Sequence, residues 1–270
     1  MKKHLLPHIL IISFVFLQTP IIQAAPDVEE RIELYKHAIR IDPDDAKAHY
    51  GLGATYLILE MYKEAIDALR QAIKLDPEND AVAHCALGFS YLNLGKYKKA
   101  IESYKQAIRI DPDVADADAH NNLGFAYRRL GKYQEAIDAF RQATKNNPDD
   151  AETHFNLGFT YYNTGKHKEA IESYKHAIRI DPNLAVVHYN LGLAYYASGM
   201  LRETVAANKQ AIRLDPDFAL AYANLGVAYV AIKDRDSAYE QYKILKRLDS
   251  ELAKELFDKI DPLEILRYKR

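Results

Sequence analysis

The stretch Ala151–Leu184, AETHFNLGFTYYNTGKHKEAIESYKHAIRIDPNL, decides the fold, because its pattern returns along nearly the whole chain. Its Asp181-Pro182 pair has counterparts at Asp42-Pro43, Asp76-Pro77, Asp111-Pro112, Asn147-Pro148 and Asp215-Pro216, with successive spacings of 34, 35, 36, 34 and 34 residues. A period of this length fits two short helices and two turns. Leu157-Gly158 recurs as Leu52-Gly53, Leu87-Gly88, Leu123-Gly124, Leu191-Gly192 and Leu225-Gly226. A tyrosine follows each of these glycines by three residues, at Tyr56, Tyr91, Tyr127, Tyr161, Tyr195 and Tyr229. Farther along, Ala170 and Ala177 repeat as Ala65 and Ala72, Ala100 and Ala107, and Ala136 and Ala143.

Helical geometry turns this pattern into two helices per period. At about 100° per residue, His154, Leu157, Gly158 and Tyr161 share one face of the first. Gly158 and the small Ala170 are expected to let the two helix backbones approach closely. Gly95, Gly131, Gly165 and Gly199 are placed to end first helices, since glycine accepts left-handed geometry. The Asp-Pro pairs end the second helices, because the residue before proline disfavours the helical region. Arg40, Lys74, Arg109, Lys145, Arg179 and Arg213 sit in their last turns, where positive charge suits the helix dipole. Acidic residues such as Asp138, Glu169 and Glu172 alternate with lysines on these helices and read as a solvated face with i,i+4 pairs.

Across 270 residues, 49% are hydrophobic and 27% charged, a folded and soluble balance. A formal net charge of −2 offers no general attraction to nucleic acid or anionic lipid. Cys85 is the one cysteine, which excludes an intramolecular disulfide and a cysteine-based zinc site. The opening segment, residues 1–25, has a basic start at Lys2 and Lys3, an apolar run through Leu17 and a small-residue end at Ala24 and Ala25. That is the layout of a secretory signal peptide, so the expected location is periplasmic or secreted. Residues 5–22 approach the ~20 apolar residues of a spanning helix, and a retained membrane anchor is the alternative.

The matched positions resemble the tetratricopeptide-repeat family closely. The expected fold is all-α, a right-handed α-solenoid of six helix-turn-helix units at 46–80, 81–116, 117–150, 151–184, 185–218 and 219–252. A partial repeat precedes them at 26–45. The sixth unit wears away, with Lys233, Leu245 and Ser250 replacing Gly, Ala and Pro. Ser250 is the expected N-cap of a terminal helix, Glu251–Lys259, that covers the last unit through Leu252, Leu256 and Ile260. Asp261-Pro262 is expected to stop it, and the capping helix with its tail spans 250–270.

In the family, ligands bind the concave surface lined by the first helices, on the stripe that the intra-repeat core does not use. Here that stripe carries Tyr50, Phe89, Phe125, Phe155, Phe159, Tyr162, Tyr189 and Tyr196. Either these rings form a contact surface, or neighbouring repeats cover most of them. Asn122, Asn156, Asn190 and Asn224 occupy one equivalent position, where a row of amides could hold an extended backbone. This is similar to the asparagine ladder of some protein glycosyltransferases, although asparagine is also a common family choice there. Arg128 and Arg129, with Asn163 at a position equivalent to Arg129, form a guanidinium pair suited to a carboxylate, or else ordinary solvated charge. The carboxylate clamp of chaperone-binding relatives is missing, because Lys47 stands without its asparagine partner. No chaperone tail is expected to bind.

Five histidines, His49, His84, His120, His154 and His188, recur once per unit. A metal needs ligands about 2.0 Å from one centre, whereas equivalent positions on packed helices lie roughly 8–10 Å apart. They therefore read as structural, and no metal or cofactor is expected. No phosphate loop, nucleophile elbow or zinc-protease motif is present. The expected function is a non-enzymatic scaffold binding a peptide or protein segment in the groove. The alternative is an envelope assembly factor that self-associates or binds a glycan polymer.

Overall fold

A computed structural model describes residues 27–77, 81–112 and 117–260. They form α1 (Val28–Ile41), α2 (Ala46–Ile58), α3 (Tyr62–Leu75), α4 (Ala81–Asn93), α5 (Tyr97–Ile110), α6 (Ala117–Arg129) and α7 (Tyr133–Asn146). Then follow α8 (Ala151–Asn163), α9 (His167–Ile180), α10 (Ala185–Ala197), α11 (Leu201–Leu214), α12 (Ala219–Ala231), α13 (Arg235–Leu248) and α14 (Ser250–Phe257). There is no strand among the described residues, and the chain is an all-α helical repeat solenoid. The predicted signal segment and the stop at Asp261-Pro262 lie outside the described residues.

Each first helix ends in the same hydrogen-bonded turn. The amide of Lys166 donates to the Tyr161 carbonyl at 2.9 Å, and that of Gly165 to Tyr162 at 3.0 Å. Such a turn needs a left-handed residue, and Gly95, Gly131, Gly165 and Gly199 have φ of 69°, 73°, 75° and 74°. In the first and last units Glu60 and Lys233 take that position, at φ 56° and 65°. A side chain there costs roughly 1–2 kcal/mol, against about 0.5–1 kcal/mol of extra chain entropy for glycine. Glu60→Gly is therefore expected to raise the urea midpoint, by about 0.5–1 kcal/mol of stability. An unchanged or lower midpoint would show that no strain resides there.

Second helices end on the expected residues. At Asp181 the backbone amide donates to the Ala177 carbonyl at 2.9 Å. The Asp181 carboxylate then accepts the Asn183 amide at 2.9 Å, setting the turn into the next unit. Asp150 continues this logic by capping α8 through the amides of Glu152 and Thr153. Charge pairs among the described residues fall at i,i+3, as in Glu172 with Lys175 at 3.1 Å.

The glycine of each Leu-Gly pair seats a side chain: a ring at Gly88, Gly124 and Gly158, Leu69 at Gly53, Asn208 at Gly192 and Leu256 at Gly226. A Cβ on Gly158 would lie 2.8 Å from Cδ1 of Tyr174, and one on Gly124 2.8 Å from Cδ1 of Phe140. Tyr104, Phe140 and Tyr174 project from the second helices into these seats and are completely enclosed or nearly so. The sequence pattern pointed to Ala170 because it is small, but the space is filled by the ring one turn farther on.

First helices of successive units touch along the whole array, α2 to α4 and onward to α12, and no comparable contact joins successive second helices. The stack therefore closes more tightly on the first-helix side. At the leading end α1 packs on α2 and buries none of its own residues, leaving Leu34 and Ile41 60% and 73% exposed. At the trailing end α14 packs on α12 and α13, with Leu256 and Ile260 buried and Leu252 half-buried. Its N-cap is Asp249, one residue before the expected Ser250. The Asp249 carboxylate accepts the amides of Glu251 and Leu252, both at 3.0 Å.

Candidate functional site

The inner stripe of α6 and α8 holds one built arrangement. Phe125 and Arg128 are one turn apart on α6, and Phe159 takes the position of Phe125 on α8. The Arg128 guanidinium lies 5.0 Å from the centroid of each ring. It is thus clasped between two aromatic faces, which suits a delocalised cation. Among the described residues no carboxylate pairs with it. Its Nε is buried with no hydrogen-bond partner. Burial, and then the neighbouring Arg129, lower its proton affinity, while Tyr174 and Tyr133 act the other way.

Arg129 does not join it, and the predicted guanidinium pair is corrected on this point. The Arg129 Nε donates to the Tyr97 hydroxyl at 3.0 Å, and its guanidinium packs on the Tyr97 ring. Consecutive residues on a helix diverge by about 100°, so only one of the two can enter the clasp. Asn163, at the position equivalent to Arg129, is exposed.

The aromatic rings of the stripe are partly covered. Tyr50, Phe89, Phe125, Phe155, Phe159, Tyr162 and Tyr189 are half-buried, and Tyr196 is 39% exposed. Phe155 packs between Tyr174 and Phe159, with centroids 6.0 and 6.3 Å away. Phe89 meets Tyr62 edge-on, and Tyr189 meets Phe218 at 5.1 Å.

The asparagines do not form a row of free amides. Asn156, Asn190 and Asn224 are only 6%, 7% and 9% exposed. Nδ2 of Asn156 donates to Asn121, that of Asn190 to the Val186 carbonyl, and that of Asn224 to Asn208. Contact between successive first helices covers this position, and a buried amide needs internal partners. Asn122 alone of the four is half-buried.

A residue that the sequence reading missed stands beside the clasp. Tyr174 reaches in from α9 through the Gly158 seat, and its buried hydroxyl has no partner. Burial pushes this phenol well above its usual range, with Tyr162 adding to the rise and Arg128 opposing it. Burial and Tyr162 likewise raise the Tyr189 phenol. Tyr174 thus stands next to Arg128, with Tyr162 beside Tyr174 and Tyr189 beside Tyr162. Tyr104 fills the equivalent seat of the second unit with the same unpartnered hydroxyl, and Phe140 fills that of the third without one.

Three of the recurring histidines hold turns. Nε2 of His49, His154 and His188 lies 3.0, 2.9 and 3.0 Å from the carbonyls of Pro43, Pro148 and Pro182. Each ring fastens its first helix to the preceding loop.

Paired helices stacked at this period, closed on the first-helix side around a ring-seating glycine, define a tetratricopeptide-repeat protein. Residues 36–255 match the family described as cilia and flagella-associated protein 70 C-terminal domain, and the chain belongs to that tetratricopeptide-repeat family. A comparison with curated proteins gave no match. Among solved structures, it is similar to MamA at 32% identity and TM-score 0.58, covering 61% of this chain and 95% of that one. YrrB, a TPR protein with an unusual peptide-binding site, gives 24% identity and TM-score 0.64 over 70% of this chain and 96% of its own. Pseudomonas aeruginosa pilF gives 23% and 0.64 over 79% and 97%. In general terms, the fold is that of protein-protein interaction scaffolds, whose partners are peptides or proteins.

Proposed function

We propose that the chain is a non-enzymatic scaffold that holds a peptide segment in the groove lined by its first helices. The observation that carries this reading is the Phe125–Arg128–Phe159 clasp, a cation held ready between two rings with no internal carboxylate. Rings half-covered by neighbours cost little entropy to order, which favours their use as anchors. The same fold in YrrB carries a peptide-binding site. The signal-peptide layout of residues 1–25 supports export, with action in the periplasm or outside the cell.

Selection of random 12-residue peptides on the purified chain tests the reading. A Phe125→Ala/Phe159→Ala variant that keeps its helical circular dichroism should bind the selected peptides roughly tenfold or more weaklier than the parent, as central aromatic anchors do. Equal binding by the folded double variant would overturn the groove assignment. A second reading, self-association in envelope assembly, is favoured by the bare outer face of α1 with Leu34 and Ile41. Light scattering that shows a concentration-dependent oligomer would support it.

A further inference from the structure

We infer that the clasp recognises an acidic side chain within the bound peptide: its ligand is the carboxylate of an internal aspartate or glutamate. This rests on the groove reading above and specifies what enters the groove at Arg128. A half-buried guanidinium without a carboxylate partner has unmet capacity, and here the Nε is covered and bonded to nothing. The unpartnered hydroxyl of the fully buried Tyr174 belongs to its seat, since Tyr104 in the equivalent seat of the second unit has the same one. Buried polar groups are nearly always satisfied, so the uncompensated Nε of Arg128 marks a place completed by something else.

The chemistry selects a carboxylate. The planar fork of arginine matches two carboxylate oxygens, and the rings on either side fix the plane and exclude water. Arg129 is turned to Tyr97, so a single positive charge is presented, which suits a monoanion better than a doubly charged phosphate. Two acidic residues share the stripe, Asp118 and Glu152, but both have interactions of their own. They sit at the opposite ends of their helices, about 15 Å along the axis from the level of Arg128 at 1.5 Å per residue.

Position within the array selects an internal residue over a chain end. Arg128 belongs to the third unit, with Phe89 before it and Phe155 and Tyr189 after it along the same stripe. A peptide that reaches Arg128 can continue in both directions, and nothing at this site caps a terminus.

The test uses the selected peptides, synthesised with free and amidated C-termini, and fluorescence polarisation against the parent, Arg128→Gln and Phe125→Ala/Phe159→Ala chains. The expected results are a fixed Asp or Glu in the selected motif and a loss of roughly 10- to 100-fold when it becomes Asn or Gln, the range for a charge-assisted hydrogen bond in a partly buried site. In Arg128→Gln, whose helicity should be unchanged, acid and amide peptides should bind equally. Groove-dependent peptides without an acid preference, or an acid preference that survives Arg128→Gln, would overturn this inference while leaving the scaffold reading intact. Loss of binding on C-terminal amidation, or tighter binding of a phosphoserine peptide, would overturn the internal carboxylate. Absence of any peptide sensitive to the Phe pair would overturn both readings.

Discussion

Gly124→Val should unfold at a much lower denaturant concentration than the parent, with a loss of about 3 kcal/mol or more, at the upper end of overpacking costs. The added Cβ would press to 2.8 Å from both Cδ1 and Cε1 of Phe140, a ring with no exposed surface and no room to move. Two methyl groups would extend the clash into the densest part of the third unit. Gly131→Ala is the informative control. Its Cβ would meet nothing within 4 Å, and only its φ of +73° resists substitution. That change should cost about 1–2 kcal/mol, the price of left-handed geometry alone. Urea titrations of both variants separate steric from conformational roles of glycine. A Gly124→Val chain as stable as Gly131→Ala would refute the ring-seat account.

Leu256→Ala should be nearly as damaging, with a loss of about 2–5 kcal/mol for a large core residue cut to a methyl. Leu256 is 1% exposed and fills the Gly226 seat, which in the inner units is filled from the second helix of the same unit. The terminal helix thus fills the seat in place of Tyr242, the sixth unit's residue at the ring position, which packs on Tyr239 and Phe257 instead. Without it Tyr222 and Leu225 open to solvent at the end of the stack, and terminal units of repeat arrays rely on such covers for solubility. Thermal unfolding of Leu256→Ala beside Leu252→Ala measures this. The half-buried Leu252 should cost clearly less, and equal losses would contradict the seat.

Most of the scaffold was legible because it rests on backbone chemistry. The residue before proline, the glycine at the helix end and the positive charge in the last turn each constrain φ, ψ or a dipole locally, and local constraints can be read from a line of sequence. The cap at Asp249 was misplaced by one residue because Ser250 and Asp249 are both good N-caps, and the choice depends on which of them leaves the helix first. The site was less legible. Equivalent positions were identified, but a position does not say which way an amide turns, so Asn156, Asn190 and Asn224 read as a ladder when their donors serve the interior. Arg128 and Arg129 looked alike as neighbours, and the choice between them lies with Phe159 and Tyr97, residues about 30 positions away. Tyr174 was hidden by its role as a core ring, since a hydroxyl on a packing residue leaves no trace in hydrophobic periodicity.

The fifth unit has one departure whose effect extends beyond its own contacts. Asn208 stands where Tyr104, Phe140 and Tyr174 place rings, and its buried amide donates to the Thr204 carbonyl and accepts from Asn224. The fully buried apolar core divides at this point, one part running from α3 to α11 and the other from α12 to Ile260, with Val205 and Ile212 of α11 packed against the second part. Cooperativity in a linear array passes from unit to unit through their interfaces. A polar pair at this interface should weaken the coupling between the fifth and sixth units, and the clasp at Arg128 lies on the far side of it from the C-terminal end.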